Sequence, residues 1–531
     1  MDKSYLGPWK KLYRLLDLER KDILQVLYYA IFAGIISLII PLGIQAIIMY
    51  IQGAEITTSW ILLTVAVTLG VAFVGVLRVL QMYLIEDIQQ KLFTRSAFEF
   101  TYRFPRMRVR ELRNQYPPEL ANRFIDVFTL QKGFQKILLD FPAAVLQIVF
   151  GFLLLSFYHA FFIAFGFLLV ILFYILIKFT LRRATETSLN ESTEKYKVFF
   201  WIQQVASQFK MLKLIPSDYE LKRIDGLVAK YLNSRQNHFG IVIIQYKLLV
   251  VFKVLITLGL LLIGGLLVLN QQMNLGQFVA AEIIIVNMIN SMDKIGQTLE
   301  TIYDMVTGAH KMSYVTNKKL DSPNTNSIEK PEVFPLKIEK FKSSKNEIEE
   351  LTIEENEIVN LVGRQLQVND LFHYLAGMKK TRDGKIFLNK QEIVSIDLKQ
   401  YQSQVSIALN SDRLFQGTIR KNICLDETIN ENLILEQMEA FGILEEIQNL
   451  PETIETQVFS EIEILSDKAA RIICLLRVLL KKPRLLLVED GFVYSKEEQE
   501  ALVNFAKNNN MGIILASPKA IELSDIRNYY L

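Results

Sequence analysis

The stretch from Ile358 to Gly377, IVNLVGRQLQVNDLFHYLAG, decides how the C-terminal part of the chain is read. A short apolar run ends at Gly363, and an amphipathic helix is expected from near Asn369. Strand, loop and helix in that order are the setting of a phosphate-binding P-loop, G-x-x-x-x-G-K-[ST]. Here the second glycine is Val368, the lysine is Asn369 and the serine or threonine is Asp370. The frame of a nucleotide site is kept and its chemistry is lost.

Around this stretch, short apolar runs at 336–341, 386–388, 405–409, 485–488 and 512–516 alternate with amphipathic segments. That alternation predicts an α/β domain with a buried sheet over 336–531. Just before it, 317–335 reads NKKLDSPNTNSIEKPEVFP, a polar, proline-containing break expected to be a linker.

The N-terminal half is of another kind. With 531 residues the chain is too long for a single core, and 51% of it is hydrophobic. Apolar stretches near 27–51, 60–82, 141–158, 161–180, 248–269 and 275–292 approach the roughly 20 residues that cross a bilayer. Loop charges orient them. The outer loops hold Glu55 and no basic residue, whereas Lys91, Arg95, Arg103, Arg106, Arg108, Arg110 and Arg113 follow the second stretch. Lys178, Arg182 and Arg183 follow the fourth. Six spans over 23–316 with both termini cytoplasmic, after a basic segment 1–22, is the expected topology. The long connections 83–140 and 181–247 contain few breakers and are expected to be helical excursions, with tips at Tyr102–Met107 and Lys210–Pro216. Within the spans Lys253 and Glu282 are ionisable, and Glu282 is a candidate for a translocation path.

Composition excludes several classes. A net charge of +3 without a basic, aromatic-laced tract argues against nucleic-acid binding. Cys424 and Cys474 lie too far apart in sequence to suggest a disulfide framework. The four histidines, His159, His238, His310 and His373, are scattered and suggest no metal site. No signal peptide and no N-terminal peptidase-like segment is read.

The order of motifs resembles the ATP-binding cassette (ABC) exporters of the peptide and haemolysin-secretion type, over nearly the whole chain. The residues that carry the resemblance are Leu361-Val362-Gly363, Leu375-Ala376-Gly377, Asp383-Gly384-Lys385-Ile386 and Leu465-Ser466. The most specific is Leu414-Phe415-Gln416-Gly417-Thr418-Ile419-Arg420-Lys421-Asn422-Ile423, and Asn274–Val279 is similar to the entry to the family's last span. The resemblance implies a multi-domain chain: a six-helix transmembrane domain of the type I ABC exporter kind followed by an α/β P-loop-type cassette.

It also implies a nucleotide site, and here the chain departs from the family. The P-loop that opens at Gly363 has Leu366 and Val368 in place of glycines, Asn369 in place of the phosphate-binding lysine and Asp370 in place of the Mg²⁺-binding hydroxyl. The Q-loop position falls on Asn410, and the signature LSGGQ reads Leu465-Ser466-Asp467-Lys468-Ala469. The two carboxylates after the LLLV run are Glu489 and Asp490 in swapped order, the switch histidine falls on Ser517, and the D-loop aspartate falls near Lys496. ATP and Mg²⁺, the family's cofactors, are therefore expected to bind weakly or not at all. In the family each ATP site joins the P-loop of one cassette to the signature of the other, so this chain would spoil both sites of a pair.

These readings describe a half-transporter with a degenerate cassette that is not expected to turn over ATP well. The chain is expected to be the non-catalytic half of a complex exporting peptides, proteins or other amphipathic substrates from a bacterial inner membrane. It would form a homodimer or a heterodimer with another half-transporter, and a periplasmic adaptor is implied only by analogy. Two alternatives stand beside it: a non-transporting scaffold or receptor that keeps the fold, and a weakly active ATP-driven exporter.

Overall fold

The computed structural model describes residues 6–52, 58–112, 115–158, 161–215, 217–321, 332–342, 347–379, 383–458 and 464–531. The short turn at His159-Ala160, the outer loop 53–57, the tip residue Pro216 and most of the linker lie outside those residues. The chain divides into two compact units, one of Met1–Arg106 with Asn114–Lys318 and one of Met107–Arg113 with Lys319–Leu531.

The first unit is helical. Five described helical segments are long and apolar enough to cross a membrane: Arg20–Ile51, Thr58–Arg106, Pro117–Phe157, Phe162–Ser207 and Tyr219–Leu269. A further helix, Leu275–Thr316, carries Glu282, Asn287 and Asn290 among its apolar residues. The helices Thr58–Arg103 and Phe161–Ser207 have 46 and 47 residues. At about 1.5 Å per residue each runs roughly twice the ~30 Å hydrocarbon thickness, so both continue well beyond a bilayer.

Local chemistry explains the irregularities. The first apolar helix breaks at Leu38, between Arg20–Ser37 and Ile39–Gln52. The Pro41 ring removes the N–H that would bond the Ser37 carbonyl and crowds it, which is where the ladder gives way. Lys253 is not solitary, since it pairs with Asp293 on the neighbouring helix. Glu282 is exposed on the surface of its helix.

The second unit holds eleven described strands: β1 (Leu336–Lys342), β2 (Glu347–Ile353), β3 (Ile358–Val362), β4 (Asp383–Leu388), β5 (Gln391–Glu392), β6 (Val405–Ala408), β7 (Gly417–Thr418), β8 (Gln457–Val458), β9 (Leu485–Val488), β10 (Gly512–Ser517) and β11 (Arg527–Tyr530). An antiparallel sheet has the order β2-β1-β4-β5, and a parallel sheet has the order β11-β3-β10-β9-β6. Strands β3 and β9 are buried at every position; β9 is a continuous apolar run, and β3 is interrupted only by Asn360, whose buried amide donates to the Lys519 carbonyl and Asn528 Oδ1.

The Asp383-Gly384-Lys385-Ile386 string has a geometric basis. Strand β1 is irregular between Glu339 and Lys342, and Gly384, at φ +88°, lies against that bend. A Cβ there would sit 2.4 Å from the Lys340 carbonyl oxygen and from Phe341 Cα. Backbone cannot yield as a side chain would. Gly384→Ala is expected to cost about 2–4 kcal/mol, combining a left-handed φ with overpacking. A lower denaturant midpoint for the C-terminal unit of the full chain is the readout.

Candidate functional site

In an open parallel sheet, ligands bind beyond the carboxyl ends of the strands. Five predicted positions arrive at that edge: Gly363 after β3, Asn410 after β6, Glu489 and Asp490 after β9, and Ser517 at the end of β10. Gly363 N–H donates to the Ser517 carbonyl at 3.2 Å, and Asn410 N–H donates to Glu489 Oε2 at 2.5 Å. These residues share one edge of the parallel sheet.

The principal correction concerns the P-loop. The helix begins at Gln365, not near Asn369, and runs to Leu375. The residues that would form the phosphate cradle are its first turn. Gln367 and Val368 N–H both turn back to the Arg364 carbonyl, at 2.7 and 3.2 Å, and the Gln367 side chain accepts from Arg364 N–H at 3.2 Å. These two backbone donors are spent within the helix. The side chains follow the helix: Val368 is buried in the core and Leu366 projects outward, 68% exposed.

Asn369 and Asp370 are likewise turned to internal work. The Asn369 carbonyl contacts His373 Nδ1 at 2.5 Å, and its side-chain oxygen is enclosed without a hydrogen-bond partner among the described residues. Asp370, only 7% exposed, accepts from Lys379 Nζ at 2.8 Å. Lys379 reaches back because Gly377, at φ +70°, ends the helix in the left-handed conformation and lets Lys379 N–H bond the His373 carbonyl. A carboxylate in the place of a Mg²⁺-binding hydroxyl is thus neutralised by a lysine of its own chain. Sequence spacing missed this pair, since the two residues meet only after the chain has turned at the helix end. Lys379→Met is expected to destabilise the unit by about 1–3 kcal/mol, because it strands a buried carboxylate. The lower part of that range allows for the 37% exposure of Lys379. Adding Asp370→Asn should recover most of the loss, read as a double-mutant cycle in urea.

The swapped carboxylates have unequal settings. Glu489 is buried, and its carboxylate holds the Asn410 backbone, tying the loop after β6 to the end of β9. Asp490 is half-buried, and burial pushes its carboxyl above the usual range while the Gly491 N–H pulls it partly back. The Ser517 hydroxyl is engaged in a turn, donating to the Lys519 carbonyl and accepting from Lys519 N–H. It offers no imidazole chemistry.

The signature residues stand elsewhere, at the start of the helix Asp467–Leu479. Ser466 caps that helix by accepting from Ala469 N–H at 3.1 Å and donates its hydroxyl to Glu446 Oε2 at 2.6 Å. Glu446 also takes the Ser466 N–H. The Ser466 hydroxyl is thus held by its own chain. Asp467 and Lys468 are exposed, and Ala469 is fully buried. Lys468 and Arg471 both pair with Glu498, which fastens this helix to the one that Lys496 opens. Burial raises the thiols of Cys424 and Cys474, which leaves neither as a ready nucleophile. Among the described residues no cluster suited to a metal ion is present.

No family model matches the sequence. The chain is 29% identical over 158 residues to the colicin V secretion/processing ATP-binding protein CvaB of Escherichia coli, covering 29% of this chain and 23% of that protein. It is 30% identical over 149 residues to the probable microcin-H47 secretion/processing ATP-binding protein MchF of Escherichia coli, covering 28% and 21%. These matches span less than a quarter of either relative. In three dimensions it is similar to a bacterial Atm1-family ABC exporter solved with ATP bound, with a TM-score of 0.79 at 14% identity. That likeness covers 95% of this chain and 91% of the other. The chain therefore has the type I ABC exporter fold, with a helical membrane part and a strand-containing C-terminal part.

Proposed function

We propose that this chain is the non-catalytic half of an exporter of peptides or proteins. The observation that carries the proposal is the helix start at Gln365, which consumes the phosphate cradle, with Asp370 closed off by Lys379. The similarity to two bacteriocin secretion proteins supports peptidic cargo. In this reading residues 1–22 are a cytoplasmic segment, 23–316 form six spans, 317–335 are a linker and 336–531 are a degenerate cassette. Both termini are cytoplasmic and the membrane is a bacterial inner membrane. The cassette couples and dimerises with a second half-transporter whose own motifs bind and hydrolyse ATP, and a periplasmic adaptor completes the export route. Leu366, Val368, Asn369, Asp370, Asn410, Asp467 and Ser517 mark the lost nucleotide chemistry, and Glu282 faces the translocation path.

Transport into inverted vesicles tests this. With the partner half present, substrate accumulation should depend on this chain and be unchanged by Asp490→Asn. Accumulation independent of the chain would favour a scaffold instead. Accumulation abolished by Asp490→Asn would favour an active exporter.

A further inference from the structure

The basic N-terminal segment has no role in the account above, and the structure gives it a definite geometry. The helix Leu6–Leu18 is fixed by one face. Leu12 and Pro8 are buried, Trp9 Nε1 donates to Thr185 Oγ1 at 3.2 Å, and Lys11 Nζ donates to Ser313 Oγ at 2.5 Å. The other face is exposed and carries Lys10, Tyr13, Arg14 and Asp17. Arg20 and Lys21, also exposed, open the next helix.

Nothing in the described chain neutralises these four cations. Lys10, Arg14, Arg20 and Lys21 make no ion pair or hydrogen bond among the described residues. The nearby acids are already engaged: Glu19 pairs with Arg95 at 2.8 Å and Asp22 with Lys91 at 2.7 Å. Asp17 alone opposes them, so the face keeps an excess of positive charge.

Depth follows from the helix contacts. Gln245 donates to both Thr180 and Tyr303, which puts those residues at one level at the cytoplasmic end of the stretch 161–180. Thr185, the anchor of Trp9, lies five residues further along a continuous helix. At about 1.5 Å per residue that is some 7–8 Å, and the polar layer outside a ~30 Å core is about 5–8 Å thick on each side. The second anchor, Ser313, lies about 15 Å beyond Tyr303 along its own helix, so the basic segment extends from the headgroup layer to about one Debye length outside it, within reach of an anionic surface.

We propose that the exposed face formed by Lys10, Arg14, Arg20 and Lys21 binds anionic phospholipid headgroups of the cytoplasmic leaflet. A basic cluster immediately beside a first span is attracted to an anionic surface at about 1 kcal/mol per residue, which is roughly fivefold in association. Tyr13 adds an amphipathic ring at the same level. The opposite face, pinned through Trp9 and Lys11 to two long helices, makes the bound lipid a clamp on the membrane unit.

The test uses the full chain in phosphatidylcholine bilayers doped with spin-labelled phosphatidylglycerol or spin-labelled phosphatidylcholine. The motionally restricted fraction gives the relative association of the two lipids. Phosphatidylglycerol should be favoured severalfold, and raised ionic strength should weaken the preference. Lys10→Gln and Arg14→Gln should each remove part of that severalfold preference, and the two together with Arg20→Gln and Lys21→Gln should nearly abolish it. The charge-keeping pair Lys10→Arg and Arg14→Lys should retain it. Should the fourfold variant not fold, the Lys10→Gln, Arg14→Gln pair makes the same comparison. Equal association of both lipids with the unaltered chain would overturn the proposal, as would a preference that survives the neutral substitutions.

Discussion

Titrated with Mg²⁺-ATP, the purified chain is expected to show affinity on the order of a thousandfold below that of a cassette with an intact P-loop. Three effects act together. The cradle N–H groups of Gln367 and Val368 are bonded to the Arg364 carbonyl, so phosphate would have to unwind a helical turn. The lysine that would supply a fixed positive charge is Asn369. A carboxylate stands at Asp370, and a like-charge contact at about 4 Å is worth roughly 4 kcal/mol at an effective dielectric of about 20. That alone is about a thousandfold in affinity. The Lys379 pair offsets part of the repulsion, but the loss of N–H donors and lysine acts in the same direction. Isothermal calorimetry or a fluorescent nucleotide reads the result. Binding in the micromolar range would contradict it.

Arg477→Ala should be among the most damaging single changes in the cassette, at about 3–4 kcal/mol. Arg477 is 9% exposed and donates to the Asn422 carbonyl at 2.7 Å, to Asn422 Oδ1 at 3.0 Å and to the Arg413 carbonyl at 3.3 Å. Its guanidinium lies 4.3 Å from the centre of the Phe415 ring. Asn422 in turn accepts from Phe415 N–H and donates to the carbonyls of Phe415 and Thr418. Truncation therefore leaves the buried Asn422 carbonyl without this donor and removes the guanidinium packed against the Phe415 ring. Chemical unfolding of the full chain reads the loss as a lower midpoint. Arg477→Lys should recover only part of it, since an ammonium cannot span three acceptors in one plane.

These two sites show what was legible in the sequence and what was not. The motif from Leu414 to Ile423 was recognisable because it builds structure: Thr418 caps a helix by accepting from Lys421 N–H, and Asn422 closes the turn. Such residues are dictated by backbone geometry, which makes the string readable without reference to any ligand. The long apolar runs of the membrane unit and the fully buried β3 and β9 were legible for a similar reason, since burial writes itself into composition. The helix start was misjudged because the P-loop template was laid over residues that no longer obey it. From Arg364 to Leu375 there is no glycine or proline to hold a loop open, and Val368, Leu371, Phe372 and Leu375 keep helical spacing throughout. Good helix formers at 365–367 wind when no phosphate holds them apart. The Asp370–Lys379 and Ser466–Glu446 pairs carried no local signal, because each forms across a turn or between separate helices.

The central claim is that this chain contributes no ATP turnover of its own. It is tested most directly by purifying the tagged chain from native membranes in mild detergent, then assaying hydrolysis and identifying partners on the same sample. The account predicts a second cassette chain with intact motifs, and hydrolysis that is unaffected by Asp490→Asn in this chain. A lone homodimer that hydrolyses ATP, with the activity abolished by Asp490→Asn, would contradict it.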